Sequence, residues 1–424
     1  MKKVETNLKN ILKKVENFFY PFYKSNELKL IFNILKKDQP KNKKIAMFVG
    51  GCVRKYILKE NIDDIDIASI FTPAEIQNKF KNTEVKVIET GVEHGTVTLL
   101  LRGKKFELTT LRKDNKTDGR HAEVSFIDDW NEDSKRRDFT INAIYMDDCG
   151  KIYDPQNGVK DLKNGKVKFI GDPDSRIKED YLRIIRFLRF SFQYDSTTDD
   201  FTLEKIKLNL NGVKYLSKER VYNELVKILR LKNFINILKH KNKKEIFSII
   251  FPEFKEIDLL GKLNLTINKT VMNLDLNLKL AIMLIDETNN HEYFCHKYKV
   301  PNITKNKLNN FFNLYKKLNS DTNFFKTNIK KNIYIFGKVI MKDLAVFMYF
   351  KNNKSSQKDL NDLREKIEKV EIPIFPYNGD FLKTKGLEEG KNFGKILKKL
   401  EEEWLNNNYR LNEDKIVSVI KQFN

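Results

Sequence analysis

The sequence has few cysteines and no long apolar run. Its three cysteines, Cys52, Cys149 and Cys295, are too few and too scattered for a disulfide framework or a zinc site. A reducing cytoplasm fits this composition, so we expect a cytoplasmic protein. No apolar run approaches the roughly 18 residues that a membrane helix needs. The lysine-rich N-terminus contains Glu5 and Glu16 and lacks the apolar core of a signal peptide, so we expect it to belong to the mature fold.

Basic residues outnumber acidic ones, and histidines are few. Asp plus Glu number 58 against 80 Lys plus Arg, which gives a net charge of +22. This excess favours a polyanionic partner, and an anionic membrane surface is the competing interpretation. The five histidines provide no His-Asp pair, which argues against an attached metal-dependent phosphohydrolase domain. The length of 424 residues allows two or more domains.

Two carboxylates lie close together in a short apolar run. Asp64 and Asp66 flank Ile65, and side chains alternate between the two faces of an extended strand. Both carboxylates should therefore project from one face, where they repel each other unless a cation lies between them. Mg²⁺, a hard ion that prefers oxygen ligands, is the expected occupant. Two bound metal ions could hold the attacking oxygen and the leaving phosphate of a transfer reaction.

A glycine turn precedes this pair. Residues 45–49 form an apolar run that leads into Gly50 and Gly51. Because glycine has no Cβ, the backbone can approach a triphosphate there and offer its amides. Arg54 can add a bidentate phosphate contact. A glycine pair alone is more often an ordinary turn, and an Asp-x-Asp pair alone is more often solvated charge, so the argument depends on their joint spacing.

Four motifs occur in one order along the chain: GGCVR, DIDIA, RRDFTINA (residues 136–143) and EDYLRIIRFLRF (residues 179–190). Together they resemble the class II tRNA nucleotidyltransferase and bacterial poly(A) polymerase superfamily over roughly residues 45–230. The resemblance implies an α+β protein, with a small polymerase-β-like mixed-sheet head followed by an all-helical neck, body and tail. The head should contain strands at residues 45–49, 65–68, 85–88, 96–101 and 106–110, which are β-branched or alternating.

The expected domain order follows from this resemblance and from helical patterns. Residues 1–44 should form N-terminal helices that pack on the head, with patterns at residues 8–19 and 27–35. The head should cover residues 45–170, the neck 171–240, the body 241–354 and the tail 355–424. The polar stretch at residues 355–362 suggests a linker.

Further head residues have expected roles. The resemblance suggests Glu107 as a third carboxylate near the metals, and a solvent-facing strand residue is the alternative. Arg136 and Arg137 could neutralise phosphate charge in the transition state. By resemblance, Arg137 contacts the nucleotide and Asn142 lies near its sugar, while Asp138 orients the arginines.

Residues 112–123 are polar and contain an Asp-Gly turn signal, so we expect a loop. In the family this region is a flexible loop that helps the site switch between nucleotides, matched here by Asp114, Gly119 and Arg120. The loop has its full length, unlike in enzymes that add only the two cytidines. The alternative is a charged surface hairpin.

The neck pattern suggests one long helix after Gly171, with Asp174 or Ser175 as the N-cap. Its charged residues, Asp180, Arg183, Arg186 and Arg189, recur every third residue and should form one stripe. The alternative is an acid-base ladder on a solvated face.

The stripe also has a chemical use. Cytosine and adenine present an amino donor beside a ring-nitrogen acceptor, whereas uracil and guanine present a carbonyl beside a ring N–H. A carboxylate next to a guanidinium matches only the first pair, so Asp180 and Arg183 could select C and A without a template. This is the role of the family's EDxxR motif, and Arg186 and Arg189 match its further nucleotide-contacting arginines.

The remaining matches are structural or RNA-binding in expectation. Residues 216–229 resemble the family's ERV..EL helix, in which Arg220 and Glu224 should form a structural pair. Residues 372–405 resemble the tail of CCA-adding enzymes of the mitochondrial and α-proteobacterial type. A stripe at Ile396, Leu397, Leu400 and Trp404 should be core. One departure is Lys55, where the family usually has an Asp that orients the preceding arginine.

The resemblance implies template-independent addition of C, C and A to the 3′ end of tRNA from CTP and ATP, with Mg²⁺ held by Asp64 and Asp66. The expected partners are the acceptor and upper half of tRNA, CTP and ATP, with no membrane or protein partner. The alternatives are a specialist that adds only A or only C, a bacterial poly(A) polymerase and, more distantly, a non-catalytic RNA-binding protein. The tail argues against the polymerase, and the intact Asp64, Asp66 and Arg137 argue against the silent binder.

Overall fold

The computed structural model describes residues 21–117, 122–265, 274–352, 355–390 and 392–423. The chain divides into two compact units. Unit 1 contains the chain up to Glu253 together with His296–Val300, and unit 2 contains Phe254–Cys295 and the chain from Pro301 onward. Within the described ranges, no helix is both long and apolar enough to cross a membrane.

Unit 1 is built around a seven-stranded mixed sheet. The strands of unit 1 are β1 (Ala46–Val49), β2 (Asp66–Ser69), β3 (Lys86–Gly91), β4 (Thr96–Leu101), β5 (Lys104–Thr110), β6 (Arg112–Thr117), β7 (Ala122–Phe126), β8 (Tyr145–Met146) and β9 (Ile152–Tyr153). The order in the large sheet is β3-β4-β5-β2-β1-β8-β9, and β6 and β7 form a separate two-stranded sheet. Strands β2 and β5 pair in parallel, whereas the other neighbours in the large sheet are antiparallel. Five of these strands lie at the predicted positions, and the mixed-sheet head is confirmed.

The centre of the sheet is apolar because β1 is buried along its whole length. The helix Asn26–Lys36 packs on this strand and begins at Ser25, whose side chain accepts a hydrogen bond from the Leu28 amide. The Phe32 and Phe48 rings lie 4.9 Å apart, between the helix and β1. This helix confirms the pattern predicted at residues 27–35, while the pattern at residues 8–19 lies outside the described residues.

The helices of unit 1 surround the sheet and then continue beyond it. The α-helices are Asn26–Lys36, Gly51–Ile57, Pro73–Phe80, Trp130–Arg136, Gly158–Lys163, Pro173–Glu179, Leu182–Gln193, Asp200–Asn209, Lys218–Leu229 and Lys241–Ile250. Short 3₁₀ helices cover Phe22–Lys24, Val92–His94, Thr140–Asn142, Leu210–Tyr215 and Phe234–Lys239.

The polar segment after β5 is a ribbon rather than the predicted loop. Strands β6 and β7 pair in antiparallel fashion, with Arg112 opposite Phe126 and Asp114 opposite Val124. The described part of this segment is therefore strand rather than loop, and its role as the family's flexible loop stays a prediction. Polar composition suggested a loop, but the backbone hydrogen bonds of a two-stranded ribbon need no apolar face of their own.

The predicted long neck helix is interrupted at Asp180. One helix covers Pro173–Glu179 and the next begins at Leu182, because Asp180 has an extended backbone with φ of −156°. The N-cap of the first helix is Asp172, whose side chain accepts from the Ser175 amide, rather than the predicted Asp174 or Ser175. Asp180 therefore does not share a helix with Arg183, Arg186 and Arg189, and the prediction of one continuous stripe was wrong.

Unit 2 is helical in its described residues. Its α-helices are Leu276–Leu284, Asn302–Ser320, Ile329–Lys351, Gln357–Lys369, Gly379–Thr384, Phe393–Asn406 and Glu413–Lys421. A 3₁₀ helix covers Ile257–Leu265, and the α-helix Asn290–Lys297 includes residues assigned to both units. The helix Ile329–Lys351 is kinked at Gly337, which has φ of +80°. The helical body and tail are confirmed.

The predicted linker at residues 355–362 is instead the start of a helix. The Ser356 hydroxyl accepts from the Asp359 amide, and the Asp359 carboxylate accepts from the Ser356 amide, so the two residues form a capping box. The tail core is as predicted: Ile396, Leu400 and Trp404 are buried, and Leu397 packs against them in part.

Candidate active site

One cavity of about 650 Å³ in unit 1 gathers the predicted motifs. Its walls contain ten Lys or Arg side chains and five Asp side chains, so it suits a polyanionic ligand. The lining residues are Gly50, Gly51, Arg54, Lys55, Asp64, Asp66, Arg112, Asp114, Arg136, Arg137, Asp138, Asn142, Asp180, Leu182, Arg183, Arg186, Arg189, Phe190, Gln193, Arg220 and Lys227.

Most of the residues predicted for catalysis and nucleotide binding line this cavity. The exception among the described residues is Glu107, which does not belong to the wall. Gly119 and Arg120 lie outside the described residues, whereas Asp114 lines the cavity and accepts from the Arg112 Nε at 3.3 Å. The structure therefore brings together segments that are more than 170 residues apart in sequence, from Gly50 to Lys227.

The glycine turn lies against the second carboxylate of the Asp-x-Asp pair. Gly50 has φ of +71°, a conformation that favours glycine, and it precedes the helix Gly51–Ile57. A Cβ on Gly50 or Gly51 would lie 3.8 or 3.9 Å from the Asp66 Oδ2. The turn thus keeps the backbone close to the carboxylate, with space for a ligand in front of both.

Asp64 and Asp66 are placed differently from the prediction. Only Asp66 belongs to β2, while Asp64 precedes the strand and is exposed. Both nevertheless line the cavity. Glu107 is exposed on β5, directly beside Asp66 in the parallel register.

The pKa of Asp66 lies above its usual range. Burial, together with the Glu107 and Asp64 carboxylates, raises this pKa to about 6, although Arg137 and Arg54 oppose the shift. A divalent cation at Asp64 and Asp66 would relieve the repulsion, and the oxygen donors are of the type that hard cations prefer. These residues therefore fit a divalent metal ion.

A tighter group of possible ligands lies elsewhere. In the described ranges, the group of three whose ligand atoms all lie within 4.8 Å of one another is Asp147, Asp148 and Cys149, and the three predicted carboxylates are not gathered so closely. Asp148 pairs with Lys36 at 2.6 Å, and Asp147 accepts from the amides of Cys149 and Lys151. These contacts explain the group as a reverse turn.

A buried carboxylate that the sequence analysis missed holds the arginine pair. The Asp133 side chain is fully buried and accepts from Arg136 Nε at 2.7 Å and from Arg137 Nε and Nη2 at 3.1 and 3.0 Å. It also accepts from the Tyr145 hydroxyl at 2.7 Å and from the Arg112 amide at 3.2 Å. Burial alone would raise the pKa of Asp133, but Arg137 and Arg136 outweigh it and hold that pKa well below its usual range.

Asp138 has a different partner from the predicted one. Its Oδ2 accepts from Arg186 Nε at 2.7 Å, and its Oδ1 accepts from Asn142 Nδ2 at 2.7 Å. Arg186 and Asn142 hold the pKa of Asp138 at about 2 despite its burial. Asp138 thus positions Arg186 and Asn142, while Asp133 positions Arg136 and Arg137.

Arg54 is positioned without the acidic neighbour that is usual in the family. Its Nη1 donates to Asn142 Oδ1, its Nε donates to the Tyr194 hydroxyl at 3.1 Å, and its guanidinium lies 4.9 Å from the Phe190 ring centroid. Lys55, which stands in the acid's place, lines the cavity and pairs with Asp63 at 2.9 Å. The replacement therefore leaves Arg54 with other contacts that fix its direction.

The proposed base-reading residues, Asp180 and Arg183, each have a separate partner. Asp180 Oδ2 accepts from Arg220 Nη2 at 2.7 Å, and Arg183 Nη1 donates to Glu179 Oε2 at 2.6 Å. Arg220, on the helix Lys218–Leu229, was predicted to be structural, yet it lines the cavity.

Glu224, on the same helix, is buried and forms further ion pairs. It pairs with Arg189 Nε at 2.9 Å and with Lys227 at 2.9 Å. Burial, with Arg186 and Arg54 nearby, lowers the pKa of Arg189 to about 10, although Glu224 opposes the shift. The crowded guanidinium groups make this wall attractive to an anion.

Two family matches cover the head and part of the helical region. The family described as "Poly A polymerase head domain" matches residues 46–168, and the one described as "Probable RNA and SrmB- binding site of polymerase A" matches residues 198–258. A solved structure of the Bacillus stearothermophilus CCA-adding enzyme in complex with CTP covers 94% of this chain and 98% of its own, with a TM-score of 0.70 and 22% identity. This likeness shows a shared fold.

Similar proteins extend the match over most of the chain. The mitochondrial CCA tRNA nucleotidyltransferase 1 of Danio rerio is 31% identical over 404 residues, which covers 90% of this chain and 88% of the relative. The CCA-adding enzyme of Ligilactobacillus salivarius is 33% identical over 377 residues, covering 84% and 87%. The resemblance found in the four motifs is thus confirmed, and the chain belongs to the CCA-adding tRNA nucleotidyltransferase family.

Proposed function

We propose that this chain adds C, C and A to the 3′ end of tRNA from CTP and ATP, with release of pyrophosphate. The main supporting observation is the single cavity that joins the carboxylates Asp64 and Asp66 to Asp180 and Arg183. Such a space can hold a triphosphate at one end and a base at the other. The names of the relatives, which are CCA-adding enzymes, support the same reaction.

The triphosphate would lie between the glycine turn and the arginines. Gly50 and Gly51 offer backbone amides, and Arg54 and Arg137 offer guanidinium groups that the surrounding contacts already direct. Burial disfavours the charge of Arg137, but Asp133 and Tyr145 outweigh this and raise its pKa. A preorganised cation stabilises the charge that develops on the leaving pyrophosphate without a further reorganisation cost.

Asp64 and Asp66 would hold Mg²⁺, with Glu107 as a third carboxylate beside them. When bound, the metal lowers the pKa of the tRNA 3′-hydroxyl and stabilises the pyrophosphate. The raised pKa of Asp66 supports this assignment, since Arg137 and Arg54 do not outweigh its burial and the charge of Glu107 and Asp64. Glu107 would act mainly through the electrostatic effect of its negative charge on the site, because it is exposed next to Asp66 rather than in the cavity wall.

Base selection would fall to Asp180 and Arg183. The carboxylate accepts from the amino group of cytosine or adenine, and the guanidinium donates to the adjacent ring nitrogen. Arg186 and Arg189 would contact the nucleotide further along the same helix, and Asn142 would bond the sugar. Asp114, Gly119 and Arg120 remain predicted members of the flexible loop.

The domain division and the location remain predictions. The boundaries at residues 44, 170, 240 and 354 define the N-terminal helices, head, neck, body and tail. The tail would bind the upper half of tRNA through phosphate contacts. A cytoplasmic location agrees with three free cysteines, of which Cys52 and Cys295 are buried. The relatives that are named mitochondrial make the mitochondrial matrix the alternative.

The test is incorporation of labelled CTP and ATP, separately and together with Mg²⁺, into tRNA transcripts that end at the discriminator base, at C or at CC. We expect both nucleotides together to give a product that stops at plus three. Addition of A to the CC transcript alone would indicate an A-adding specialist, and addition of C alone would indicate a CC-adding one. A ladder of A on any RNA would indicate a poly(A) polymerase, and tight tRNA binding without incorporation would indicate a silent binder.

A further inference from the structure

Arg54, which we assign to the triphosphate, is directed by uncharged acceptors. It belongs to the helix Gly51–Ile57, which follows the glycine turn. Its Nη1 donates to Asn142 Oδ1, and its Nε donates to the Tyr194 hydroxyl at 3.1 Å. Since an amide and a phenol carry no formal charge, these bonds fix the direction of the guanidinium without offsetting its positive charge.

The remaining nitrogen of this guanidinium lies beside the glycine turn. Neither bond uses Nη2, and a Cβ on Gly51 would lie 3.9 Å from that atom and 3.9 Å from Asp66 Oδ2. Nη2 is therefore close both to the backbone that would bind a triphosphate and to the carboxylate that would bind the metal. An arginine side chain has many rotamers, so the contacts of the other two nitrogens decide whether Nη2 stays there.

Tyr194 has a well-supported position from which to direct Arg54. It directly follows the helix Leu182–Gln193, and its amide donates to the Phe190 carbonyl oxygen at 3.0 Å. The Phe190 and Tyr194 rings are almost parallel, with centroids 6.3 Å apart. Phe190 is buried, and the Arg54 guanidinium lies 4.9 Å from its ring centroid. The hydroxyl is thus held beside the same ring on which Arg54 rests.

The position of Tyr194 also shows how it could act. Arg54 and Phe190 line the cavity, whereas Tyr194 does not belong to the wall. A bound nucleotide would therefore meet the arginine, and the hydroxyl would act only through it. The bond between Arg54 and Tyr194 joins two residues that are 140 positions apart in sequence.

We propose that Tyr194 is a positioning residue for triphosphate binding: its hydroxyl holds the Nε of Arg54 so that Nη2 stays beside the glycine turn. This inference rests on the proposed function, because it assumes that Arg54 binds the triphosphate. CTP and ATP share the triphosphate, so the hydroxyl should contribute equally to the binding of both and nothing to the binding of tRNA.

The test is Tyr194→Phe, which removes the hydroxyl and keeps the ring. Tyr194 is only half-buried, so the variant should fold. We expect the KM for CTP, on a transcript that ends at the discriminator base, and the KM for ATP, on one that ends in CC, to rise by one common factor of roughly five, the size of one hydrogen bond. The KM for tRNA and the preference for ATP over GTP should stay unchanged. Unchanged nucleotide KM values, or an equal rise in the KM for tRNA, would overturn the inference.

A double variant separates this contact from a general loss of structure. Lysine has a single nitrogen, so in Arg54→Lys it cannot bond Tyr194 and reach the turn at once, and adding Tyr194→Phe should have little further effect. Tyr145→Phe is the matched control, because its hydroxyl accepts from Arg137 Nε at 3.0 Å instead. It should lower kcat/KM for ATP by the same factor with Arg54 or Lys at position 54. Equal effects of Tyr194→Phe in both backgrounds would overturn the inference.

Arg54→Ala distinguishes this inference from the function on which it rests. If that variant keeps the wild-type KM for CTP and for ATP, the assignment of Arg54 to the triphosphate is wrong. If Arg54→Ala raises both KM values while Tyr194→Phe leaves them unchanged, only the role of Tyr194 is wrong.

Discussion

The two sides of the cavity bury carboxylates in opposite electrostatic surroundings. On one side, Asp66 lies beside Asp64 and Glu107, and its pKa rises to about 6. On the other side, Asp133 and Asp138 face guanidinium groups, and the pKa of Asp138 falls to about 2. All three are aspartates, and burial raises the pKa of each, so the neighbouring charges decide the direction of the shift.

This difference separates a side that is complete by itself from one that needs a ligand. The side around Asp133 and Asp138, here called the arginine side, already contains the cations that its buried carboxylates require, and its geometry is set before a nucleotide binds. The side around Asp66, here called the carboxylate side, has unbalanced negative charge, which a divalent cation would neutralise. Substitutions on the carboxylate side should therefore lower catalysis, and substitutions on the arginine side should lower stability.

The largest expected effect is on catalysis from the carboxylate side. Asp66→Asn should lower incorporation by roughly 10³-fold or more, since a metal contribution of several kcal/mol is lost. The affinity for tRNA, measured by fluorescence anisotropy, should stay unchanged, and the free energy of unfolding without metal should not fall. Incorporation near the wild-type level would contradict the metal assignment.

The next effect is on stability from the arginine side. Asp133→Asn leaves Arg136 and Arg137 partly buried without their anion, and we expect a loss of about 3 kcal/mol in the free energy of unfolding by urea. Glu132→Gln, on the same helix but in a more exposed pair with Lys135, serves as the control and should change stability by less than about 0.5 kcal/mol. Equal midpoints of urea unfolding for the two variants would show that the Asp133 carboxylate stabilises the fold no more than the Glu132 carboxylate does.

The pH dependence should differ in sign between the two sides. Asp titrates near 3.9 in an unfolded chain, so the raised pKa of Asp66 means that the folded protein binds this proton more tightly. Without divalent metal, the stability of the wild type relative to Asp66→Asn should rise as the pH falls from about 6 to about 4. Asp138 has a lowered pKa, so its contribution is present above about pH 4 and is lost as the pH falls towards 2.

Denaturant titrations of the wild type and Asp66→Asn across this range provide the measurement. The apparent affinity for Mg²⁺ should also weaken below about pH 6, because protons compete for the same carboxylate. A stability difference that is constant between pH 6 and pH 4 would mean that Asp66 is not crowded by negative charge.

The smallest effect concerns a carboxylate in water at the cavity edge. Asp63 pairs with Lys55, but 73% of its side-chain surface is exposed. Asp63→Asn should change the free energy of unfolding by less than about 1 kcal/mol, since solvent screens such pairs. A loss as large as that of Asp133→Asn would mean that burial is not the reason for the large effect expected of Asp133→Asn.

Sequence reasoning was strongest where local pattern and chemistry agree. The strands of the head follow apolar alternation, and the residues around Gly50, Asp66 and Arg137 were found from motif spacing. It was weaker where a distant contact decides the local structure. The helix break at Asp180 is an example, because the neighbouring Tyr181 ring lies so close to Gly212 that a Cβ there would be 2.1 Å from the ring.

The missed site residues have a common cause. Asp133 lies only three residues before Arg136, and the spacing of an acid and two arginines on one helical turn was available as a signal. Arg220 lies 40 residues from Asp180, and only the packing of two helices joins them. A periodic pattern predicts which face a residue occupies, but it does not give the partner that meets that face.

The parallel pairing of β2 with β5 has a consequence for the order of folding. Asp66 and Glu107 are neighbours in this pair although 41 positions separate them, and β3 and β4 must form a local meander between them. Non-local pairing is slow because the chain loses loop entropy before the contact stabilises it. We expect the repulsion between these carboxylates to oppose that pairing, so divalent cations should speed refolding.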